Sequence, residues 1–248
     1  MDKKPSTSSK RHKIKAQRAK RQRQQRVSTL LIIGGIALVV VALLAFPSIQ
    51  KAINPVGEFV KITPQARPQA DFNSMGDPNA PVKLEEYSDY QCFFCKRFSD
   101  ETEKLIVDAY VATGKVYFTY IPYGPGGLYI GPESEDAAIA SFCAGEQDKF
   151  WEYHDVLFAN HTGETVGDYT RERITAFAES LELDMDQFQS CFSGNKFEAK
   201  LNEGIAKGKQ AGIGGTPSFL INGKKIEGAQ PYSAFQQEID AALAAAGN

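Results

Sequence analysis

The sequence predicts an α/β domain that contains an inserted block of helices and is preceded by one transmembrane helix. Two observations in the 248 residues support this fold class. Strand-like and helix-like segments alternate after residue 76, and a run of twenty uncharged residues stands near the amino terminus. A chain of this length can bury a substantial core without help from disulfides.

Two core strands and a connecting helix open the domain, which is predicted over 76–246. The segment "APVKLEEYSDY" has the pattern of a buried strand, and "KVYFTYIP" is rich in β-branched and aromatic residues. Between them, a helical pattern runs from Cys92 to about Thr113, where Gly114 is a plausible stop. This order predicts two strands joined by one helix.

A hairpin and a last helix close the domain. In "TPSFLINGKKIEGA" an Asn-Gly pair separates two strand-like runs, which is a strong hairpin pattern. The final segment, "YSAFQQEIDAALAAAG", is an amphipathic helix. Helices that follow the two groups of strands can cover both faces of one mixed sheet. The helical pattern over about 133–210 is then an insertion between the second strand and the hairpin.

The amino-terminal region has the composition of a membrane anchor. Residues 27–46, "VSTLLIIGGIALVVVALLAF", contain no charge, and a helix of about 20 apolar residues spans a bilayer core. Residues 1–26 contain eleven Lys or Arg and one acid. Because Lys and Arg stay on the cytoplasmic side, we expect 1–26 to be a basic cytoplasmic tail and the domain to be extracytoplasmic.

A cleaved signal peptide and a nucleic-acid-binding tail fit this region less well. A cleaved signal peptide usually has a shorter apolar core and a small-x-small cleavage site, and "FPSIQKAINP" offers no good site. Beside a membrane span, the basic tail is better explained as a topology signal that contacts anionic lipids. We therefore expect a single-pass protein of the cell membrane that binds no nucleic acid. Residues 47–75, rich in proline, are predicted to be a linker.

The stretch "QCFFCKRF" places Cys92 and Cys95 two residues apart at the start of a predicted helix. The unpaired amides of the first turn and the helix dipole favour an anion there. The thiolate of Cys92 is therefore stabilised, which makes it the attacking sulfur, while Cys95 is expected to be buried and to resolve the mixed disulfide. A stabilised thiolate also makes the disulfide more oxidising.

A zinc site and an inert disulfide are the alternatives to a redox-active cysteine pair. A zinc site needs four ligands, often in two close pairs, and the remaining cysteines of the chain stand alone. An inert disulfide across so short a loop adds little stability. The central Phe93 and Phe94 add no charge, and they either form an apolar rim that meets unfolded substrate or pack into the core.

A second feature strengthens the redox interpretation. In "GIGGTPSFLING", Thr216 and Pro217 stand immediately before a strand in a glycine-rich turn. A proline that opens a strand in this setting is a candidate for a cis peptide bond. As a dipeptide this is a weak signal, but combined with Cys-x-x-Cys after the first strand it becomes strong.

These two motifs, "APVKLEEYSDYQCFFCKRF" and "GIGGTPSFLINGKKIEGA", resemble the DsbA-like thiol-disulfide oxidoreductases of the membrane-anchored kind. The resemblance implies a thioredoxin fold interrupted by a helical domain. It implies that Cys92 is nucleophilic, that Cys95 resolves, and that Pro217 is a cis-proline facing the disulfide. Thr216 would offer backbone bonds to bound peptide. Many members have proline where this chain has Phe93, and this dipeptide tunes the redox potential.

The same resemblance suggests a role for Glu86, six residues before Cys92. It implies a buried carboxylate that relays protons to Cys95, with Lys115 as a candidate partner. A buried acid has a raised pKa, which suits proton transfer. The alternative is an ordinary exposed strand acid. Since Glu85 and Glu86 are adjacent on a strand, only one of them can face inward.

Cys143 and Cys191 lie in different predicted helices of the insertion. Two free thiols would be a liability in an oxidising compartment, so we expect a structural disulfide between them. It would close a loop of about 49 residues and contribute roughly 3 to 4 kcal/mol in the chain-entropy model. The alternative is a second redox relay. His154, among aromatic residues of the insertion, is expected to pack between helices.

The expected function is that of a membrane-anchored extracytoplasmic enzyme that donates its Cys92–Cys95 disulfide to secreted proteins. Its partners would be reduced or unfolded secreted proteins and, by resemblance alone, a membrane-embedded quinone-linked thiol oxidase that reoxidises it. No cofactor and no metal are expected. Two alternatives remain, namely a reductase or isomerase of the same fold and a non-catalytic, membrane-tethered peptide-binding module.

Overall fold

The computed structural model describes residues 31–36, 38–46, 56–63, 65–194 and 196–247, together with Arg21, Arg26, Thr29 and Ile49. The chain divides into two compact units, Met1–Pro55 and Val56–Asn248. In the first unit, 31–36 and 38–46 are helical, and their large apolar side chains are exposed, with Leu31 at 72% and Leu44 at 75%.

Within the described part of the chain, no helix combines the length and the apolar character that crossing a membrane requires. Of the predicted span 27–46, residues 27, 28, 30 and 37 lie outside the described residues. Nearly all of the predicted basic tail, 1–26, also lies outside them.

A five-stranded sheet is the centre of the second unit, with strand order β1-β3-β2-β4-β5. Its strands are β1 (Ser74–Met75), β2 (Val82–Ser88), β3 (Val116–Pro122), β4 (Ser218–Ile221) and β5 (Lys224–Glu227). β2 and β3 are parallel, whereas the other neighbouring strands are antiparallel. A parallel pair needs a crossover connection, which the helix after Cys92 provides.

This crossover helix begins immediately after Cys92, which caps it in an extended conformation. It consists of α1 (Phe93–Phe98) and α2 (Lys104–Ile106), with wider π-helical turns over Ser99–Glu103 and Val107–Val111. The predicted helix over 92–113 is therefore present, although it is not a uniform α-helix. Its inward face buries Cys95, Phe98, Thr102, Glu103, Ile106, Val107, Tyr110 and Val111.

The predicted hairpin is β4–β5, and its turn is formed by Asn222 and Gly223 at positive φ values of 46° and 85°. Two consecutive positive φ values define the turn that fits the twist of a two-residue hairpin. β5 lies at the edge of the sheet, and its residues Lys224, Lys225 and Glu227 are exposed. The closing helix, α8 (Tyr232–Ala246), packs against β2 and β4.

The inserted helices are α3 (Pro132–Gly145), α4 (Phe150–Ala159), α5 (Arg171–Ser180), α6 (Met185–Ser193) and α7 (Glu198–Gln210). The insertion agrees with the prediction over 133–210, except that residues 161–170 form a loop. Cys143 of α3 and Cys191 of α6 are joined in a disulfide. This is the pairing that was expected for a structural disulfide.

Residues 56–63 and 65–73, here called the strap, open the second unit and lie against the rest of it. Asn160 accepts a hydrogen bond from the backbone amide of Val60 at 2.7 Å and donates one to its carbonyl at 2.9 Å. Arg173 donates to the carbonyl of Val56, and Phe59 packs edge-on against Phe177. The compact unit thus begins at 56 rather than at the predicted 76, because polar and aromatic contacts dock much of the expected linker.

Candidate active site

Cys92 and Cys95 are free thiols in this structure, and they differ sharply in environment. Cys92 caps the crossover helix directly beyond β2, and 6% of it is exposed, while Cys95, one turn later, is fully buried. Cys92 therefore lies just beyond the end of β2, and Cys95, in the first turn of α1, lies in the core. This is the arrangement predicted from the sequence.

The Thr216–Pro217 peptide bond is cis and lies beside Cys92. Cys92 Sγ donates a hydrogen bond to the carbonyl oxygen of Thr216 at 3.4 Å. The pairing of β4 with β2 explains this approach, since Ser218 lies opposite Tyr87 on the neighbouring strand. The structure thus brings Cys92, Thr216 and Pro217 together, as the sequence predicted.

The pKa of the Cys92 thiol is lowered to about 6. The largest cause is the hydrogen bond from the Cys95 thiol, while burial opposes the shift. The side chain of Thr216 and the first-turn amides of Phe94 and Cys95 lower the pKa of Cys92 further. Burial, followed by the bond with Cys92, raises the pKa of Cys95 well above its usual value. Near neutral pH, Cys92 is therefore a thiolate and Cys95 a thiol.

Phe93 and Phe94 are both exposed, at 62% and 49%. Their rings contact each other edge to face, with centroids 5.5 Å apart. Neither ring packs into the core, which was one of the two interpretations of their presence. They extend an apolar surface beside the reactive sulfur.

Glu86 faces inward, with 1% of its surface exposed, whereas its neighbour Glu85 is partly exposed and binds Lys207. Among the described residues, neither carboxyl oxygen of Glu86 has a hydrogen-bond partner. Burial, followed by repulsion from the charge of Glu103, raises the pKa of Glu86 well above its usual value. The burial expected of this acid is confirmed.

The suggested partner of Glu86, Lys115, does not reach it. Lys115 is exposed and its ammonium group lies 6.0 Å from the ring centre of Tyr110. On β3 the residue opposite Glu86 is Tyr120, five positions further along the chain. The structure places Glu103 and Arg67 in the electrostatic environment of Glu86 instead.

The loop before Cys92 is held by the helical insertion, an arrangement that the sequence did not predict. Asp89 accepts hydrogen bonds from the Ser134 hydroxyl at 2.5 Å and from the amide of Ile130 at 3.3 Å. His161 bonds through Nε2 to the carbonyl oxygen of Gln91 at 2.7 Å. Since Ser134 and His161 of the insertion and Ile130 just before it all bond to residues 89–91, the insertion helps to position Cys92.

One group of possible metal donors exists among the described residues. Donor atoms of Glu103, His154 and Asp155 lie within 4.8 Å of one another. The guanidinium group of Arg67 already binds both carboxylates and supplies the positive charge there. We therefore assign no ion to this group.

Most of the second unit is similar in sequence to known proteins. The family model described as Thioredoxin matches residues 71–241. The Na(+)/H(+) antiporter NhaA 1 of Salinispora arenicola is 27% identical over 169 residues, which are 68% of this chain but 24% of the antiporter. This chain thus spans about a quarter of the length of that relative.

Two further similarities concern disulfide chemistry by name. The probable disulfide bond formation protein D of Bacillus cereus is 25% identical over 154 residues, which are 60% of this chain and 69% of that protein. The crystal structure of oxidised BdbD from Bacillus subtilis has a TM-score of 0.64 at 22% identity and covers 72% of this chain and 97% of BdbD. At that identity, the structural likeness shows the fold.

Proposed function

This chain belongs to the DsbA-like group of the thioredoxin superfamily, and we propose that it is a thiol-disulfide oxidoreductase that donates its Cys92–Cys95 disulfide to secreted proteins. The observation that carries the proposal is the asymmetry of the two sulfurs. The pKa of Cys92 is about 6, and 6% of this residue is exposed. Cys95 is fully buried, and its pKa is raised.

The proposed reaction starts from the oxidised enzyme. A substrate thiolate attacks Cys92 Sγ, the Cys92–Cys95 bond breaks, and Cys95 leaves as a thiolate that takes a proton from Glu86. A second substrate thiolate then attacks the substrate sulfur of the mixed disulfide and releases Cys92 as a thiolate. The substrate loses two electrons, which the cysteine pair gains.

The direction of transfer follows from the stability of the Cys92 thiolate. A thiolate of low pKa is a good leaving group, and its stability favours the reduced form of the pair. The disulfide is then a strong oxidant. The exposed rings of Phe93 and Phe94 offer unfolded substrates an apolar surface next to the sulfur that they attack.

We further propose that residues 27–46 anchor the enzyme in the cell membrane, with 1–26 in the cytoplasm and the catalytic domain outside. The support is the uncharged composition of 27–46 and the basic tail before it. The exposed aliphatic side chains of 31–36 and 38–46 agree with an apolar surrounding. Reoxidation by a membrane-embedded, quinone-linked thiol oxidase rests on the family resemblance.

The first experiment measures the redox potential of the full chain in detergent. The protein is equilibrated with glutathione buffers, trapped with an alkylating reagent, and scored by mass spectrometry for the Cys92–Cys95 state. We expect a potential well above the roughly −270 mV of thioredoxin. A potential at or below that value would favour a reductase, and a pair that never exchanges would favour the binding module. Cys92→Ser is the control for exchange at other cysteines.

The anchor is tested separately on membranes that contain the full chain. We expect the protein to stay with the membrane fraction after washing with alkaline carbonate, and a chain that starts at residue 56 to be released. Release of the full chain would contradict the anchor without affecting the redox proposal.

A further inference from the structure

A second buried group of ionisable side chains lies beneath the cysteine pair. Arg67, from the strap, donates hydrogen bonds from its two terminal nitrogens, one to Glu103 and the other to Asp155. His154 is fully buried between them, and Glu103 is 2% exposed. Arg67 also lies over the ring of Trp151, at 5.0 Å from its centre. We call Arg67, Glu103, His154 and Asp155 the inner cluster.

The charges of the inner cluster do not balance without one additional proton. One guanidinium group faces two carboxylates, so one negative charge remains in a buried site. An unpaired buried charge is costly. Glu103 Oε2 and His154 Nε2 lie 3.7 Å apart, and among the described residues neither atom has a hydrogen-bond partner. A proton on this pair would neutralise the cluster.

Asp155 is the ionised member of the cluster. Although burial opposes its ionisation, bonds with His154 and Arg67 lower the pKa of Asp155 below its usual value. Asp155 is therefore not the site of the additional proton.

Tyrosine side chains connect the inner cluster to Glu86. Tyr120 lies opposite Glu86 on the neighbouring strand, and its ring centre is 4.9 Å from that of His154. Tyr90 stacks on Tyr120 at 5.2 Å and meets His154 at 5.8 Å. Within the described part of the chain, both tyrosine hydroxyls are buried and unpartnered. The two tyrosine rings thus lie between the strand that carries Glu86 and the ring of His154.

Ser88 lies between Glu86 and Cys95 and extends the series of buried polar side chains formed by the inner cluster, the two tyrosines and Glu86. It follows Glu86 by two residues on β2, so both side chains lie on one face of the sheet. The Ser88 hydroxyl is buried and has no hydrogen-bond partner among the described residues, and its presence lowers the pKa of both Cys95 and Glu86 against the larger effect of burial. The series thus runs from Cys95 through Ser88 and Glu86 to the tyrosines and the inner cluster.

The far end of the series approaches solvent at Arg67. This residue lines a cavity of about 160 Å³ together with Gln65, Asp148 and Glu152. The side chains of Arg67 and Asp155 are 8% and 9% exposed, so they are the least buried members of the inner cluster. Of the inner cluster, Arg67 is the member that lines this cavity, and Cys92 does not line it.

We propose that Glu103 and His154, held in place by Arg67 and Asp155, form a second proton-holding site that exchanges protons with Glu86 through Tyr120 and Tyr90 and with solvent beside Arg67. The proposal rests on the proposed function. When Cys95 leaves as a thiolate, Glu86 gives it a proton. Glu86 then receives the proton of the Glu103–His154 pair, and this pair takes one from solvent. Reoxidation runs the same transfers backward, so no charge is left buried.

The first test uses Trp151, the single tryptophan of the chain. Its ring centre lies 5.3 Å from that of His154, so its fluorescence reports protonation in the inner cluster. The full chain is titrated in detergent in the reduced and the oxidised state. We expect a fluorescence transition whose midpoint differs between the two states and moves in Glu86→Gln. A midpoint that is the same in both states would overturn the proposal.

The second test is kinetic and uses His154→Gln and Glu103→Gln, which keep size and polarity. Proton transfer by a positioned group typically contributes 10²- to 10⁴-fold to a rate. We expect the release of Cys95 to slow at least tenfold and its solvent deuterium isotope effect to rise, while the ultraviolet titration of the Cys92 thiolate stays unchanged. Wild-type rates in either folded variant would overturn the proposal.

Matched variants separate this role from a structural one. Arg173→Gln loosens the strap at Val56 without touching the inner cluster, so its rates should equal those of the wild type. Arg67→Lys keeps the charge and should retain more activity than Arg67→Gln. Equal losses in Arg173→Gln and Arg67→Gln would mean that only docking of the strap matters. If the wild type itself exchanges no disulfide, the proposed function fails, and the Trp151 titration still decides the proton site.

Discussion

Cys92 Sγ and the carbonyl oxygen of Thr216 lie 3.4 Å apart, although 124 residues separate them in the chain. The whole helical insertion lies between these two residues in sequence. The contact is made because β4 pairs with β2 and begins next to the cap of the crossover helix. The reactive sulfur is thus positioned by strand pairing as well as by its own helix.

Cys92 should titrate near pH 6 in the reduced protein. We expect the absorbance of the thiolate at 240 nm and the rate of alkylation to rise together around that pH. In urea the midpoint should return to about 8.5, the value of an ordinary cysteine. A midpoint above 8 in the folded protein would contradict the electrostatic argument for Cys92.

The same shift predicts how the stability of the reduced protein depends on pH. The folded pKa lies below the unfolded one, so the stabilisation by Cys92 is complete above about pH 8.5 and disappears as the pH falls through about 6. The free energy of unfolding of the reduced wild type, relative to reduced Cys92→Ser, should rise over this window. If this difference in the free energy of unfolding did not change between pH 6 and 8.5, the predicted stabilisation by the Cys92 thiolate would be refuted.

Thr216→Val should raise the pKa of Cys92. The threonine hydroxyl is buried and has no other partner among the described residues, so it is available to the thiolate. A hydrogen bond to a charged group contributes about 1.5 to 3 kcal/mol, which corresponds to a pKa change of about 1 unit or more. Thr216→Ser, which restores the hydroxyl, should return the titration to its wild-type midpoint.

Glu86→Gln should stabilise the oxidised protein at neutral and alkaline pH. The folded pKa of Glu86 is raised by burial, so the native state keeps a proton that the unfolded state loses above about pH 4.3. Wild-type stability therefore falls with rising pH, at a slope of up to about 1.4 kcal/mol per pH unit.

Urea denaturation between pH 4 and 8 measures this effect. The variant and the wild type should be nearly equal at pH 4 and diverge above it. Glu85→Gln is the matched control, since Glu85 is partly exposed and paired with Lys207. Parallel curves for wild type and Glu86→Gln would show that Glu86 is ionised in the folded protein.

Loss of the Cys143–Cys191 disulfide should lower stability and leave the active site unchanged. The bond spans a sequence separation of 48 residues, for which the chain-entropy model gives about 3 to 4 kcal/mol. Cys143→Ala combined with Cys191→Ala removes it without leaving a single thiol. The thiolate titration of Cys92 should not move, and a shift in it would show that the bond also positions the redox site.

A domain that starts at residue 71, where the family match begins, should be less stable than one that starts at 56. The shorter chain lacks Arg67 and leaves Glu103 and Asp155 without their counter-charge. Breaking a buried ion pair in this way costs about 3 to 5 kcal/mol. Equal denaturation midpoints for the two chains would contradict the importance of the strap.

Local patterns indicated the residues that are proposed for the redox site. The Cys-x-x-Cys pair, its place at the start of a helix and the Thr216–Pro217 turn are each encoded in a few neighbouring residues. Strand alternation also predicted that only one of Glu85 and Glu86 faces inward. These features depend on short-range geometry, which a sequence displays directly.

The inner cluster could not be predicted in the same way. Arg67 stands in a proline-rich segment without periodicity, and its partners lie 36 and 88 residues away. Glu103 did offer a signal, because it shares the apolar stripe of the crossover helix with Phe98, Ile106 and Tyr110. An acid on such a stripe needs a buried partner, but the stripe does not say which residue provides it.

The composition of β5 has a consequence for the proposed function, in which the protein acts on unfolded chains. An exposed sheet edge can pair with any extended segment, and such pairing is the first step of aggregation. β5 forms one edge of the sheet, and its charged residues Lys224, Lys225 and Glu227 resist the addition of another strand. Under the proposed function, an unfolded substrate is thereby kept from adding a strand to this edge, which protects the enzyme from aggregating together with its substrates.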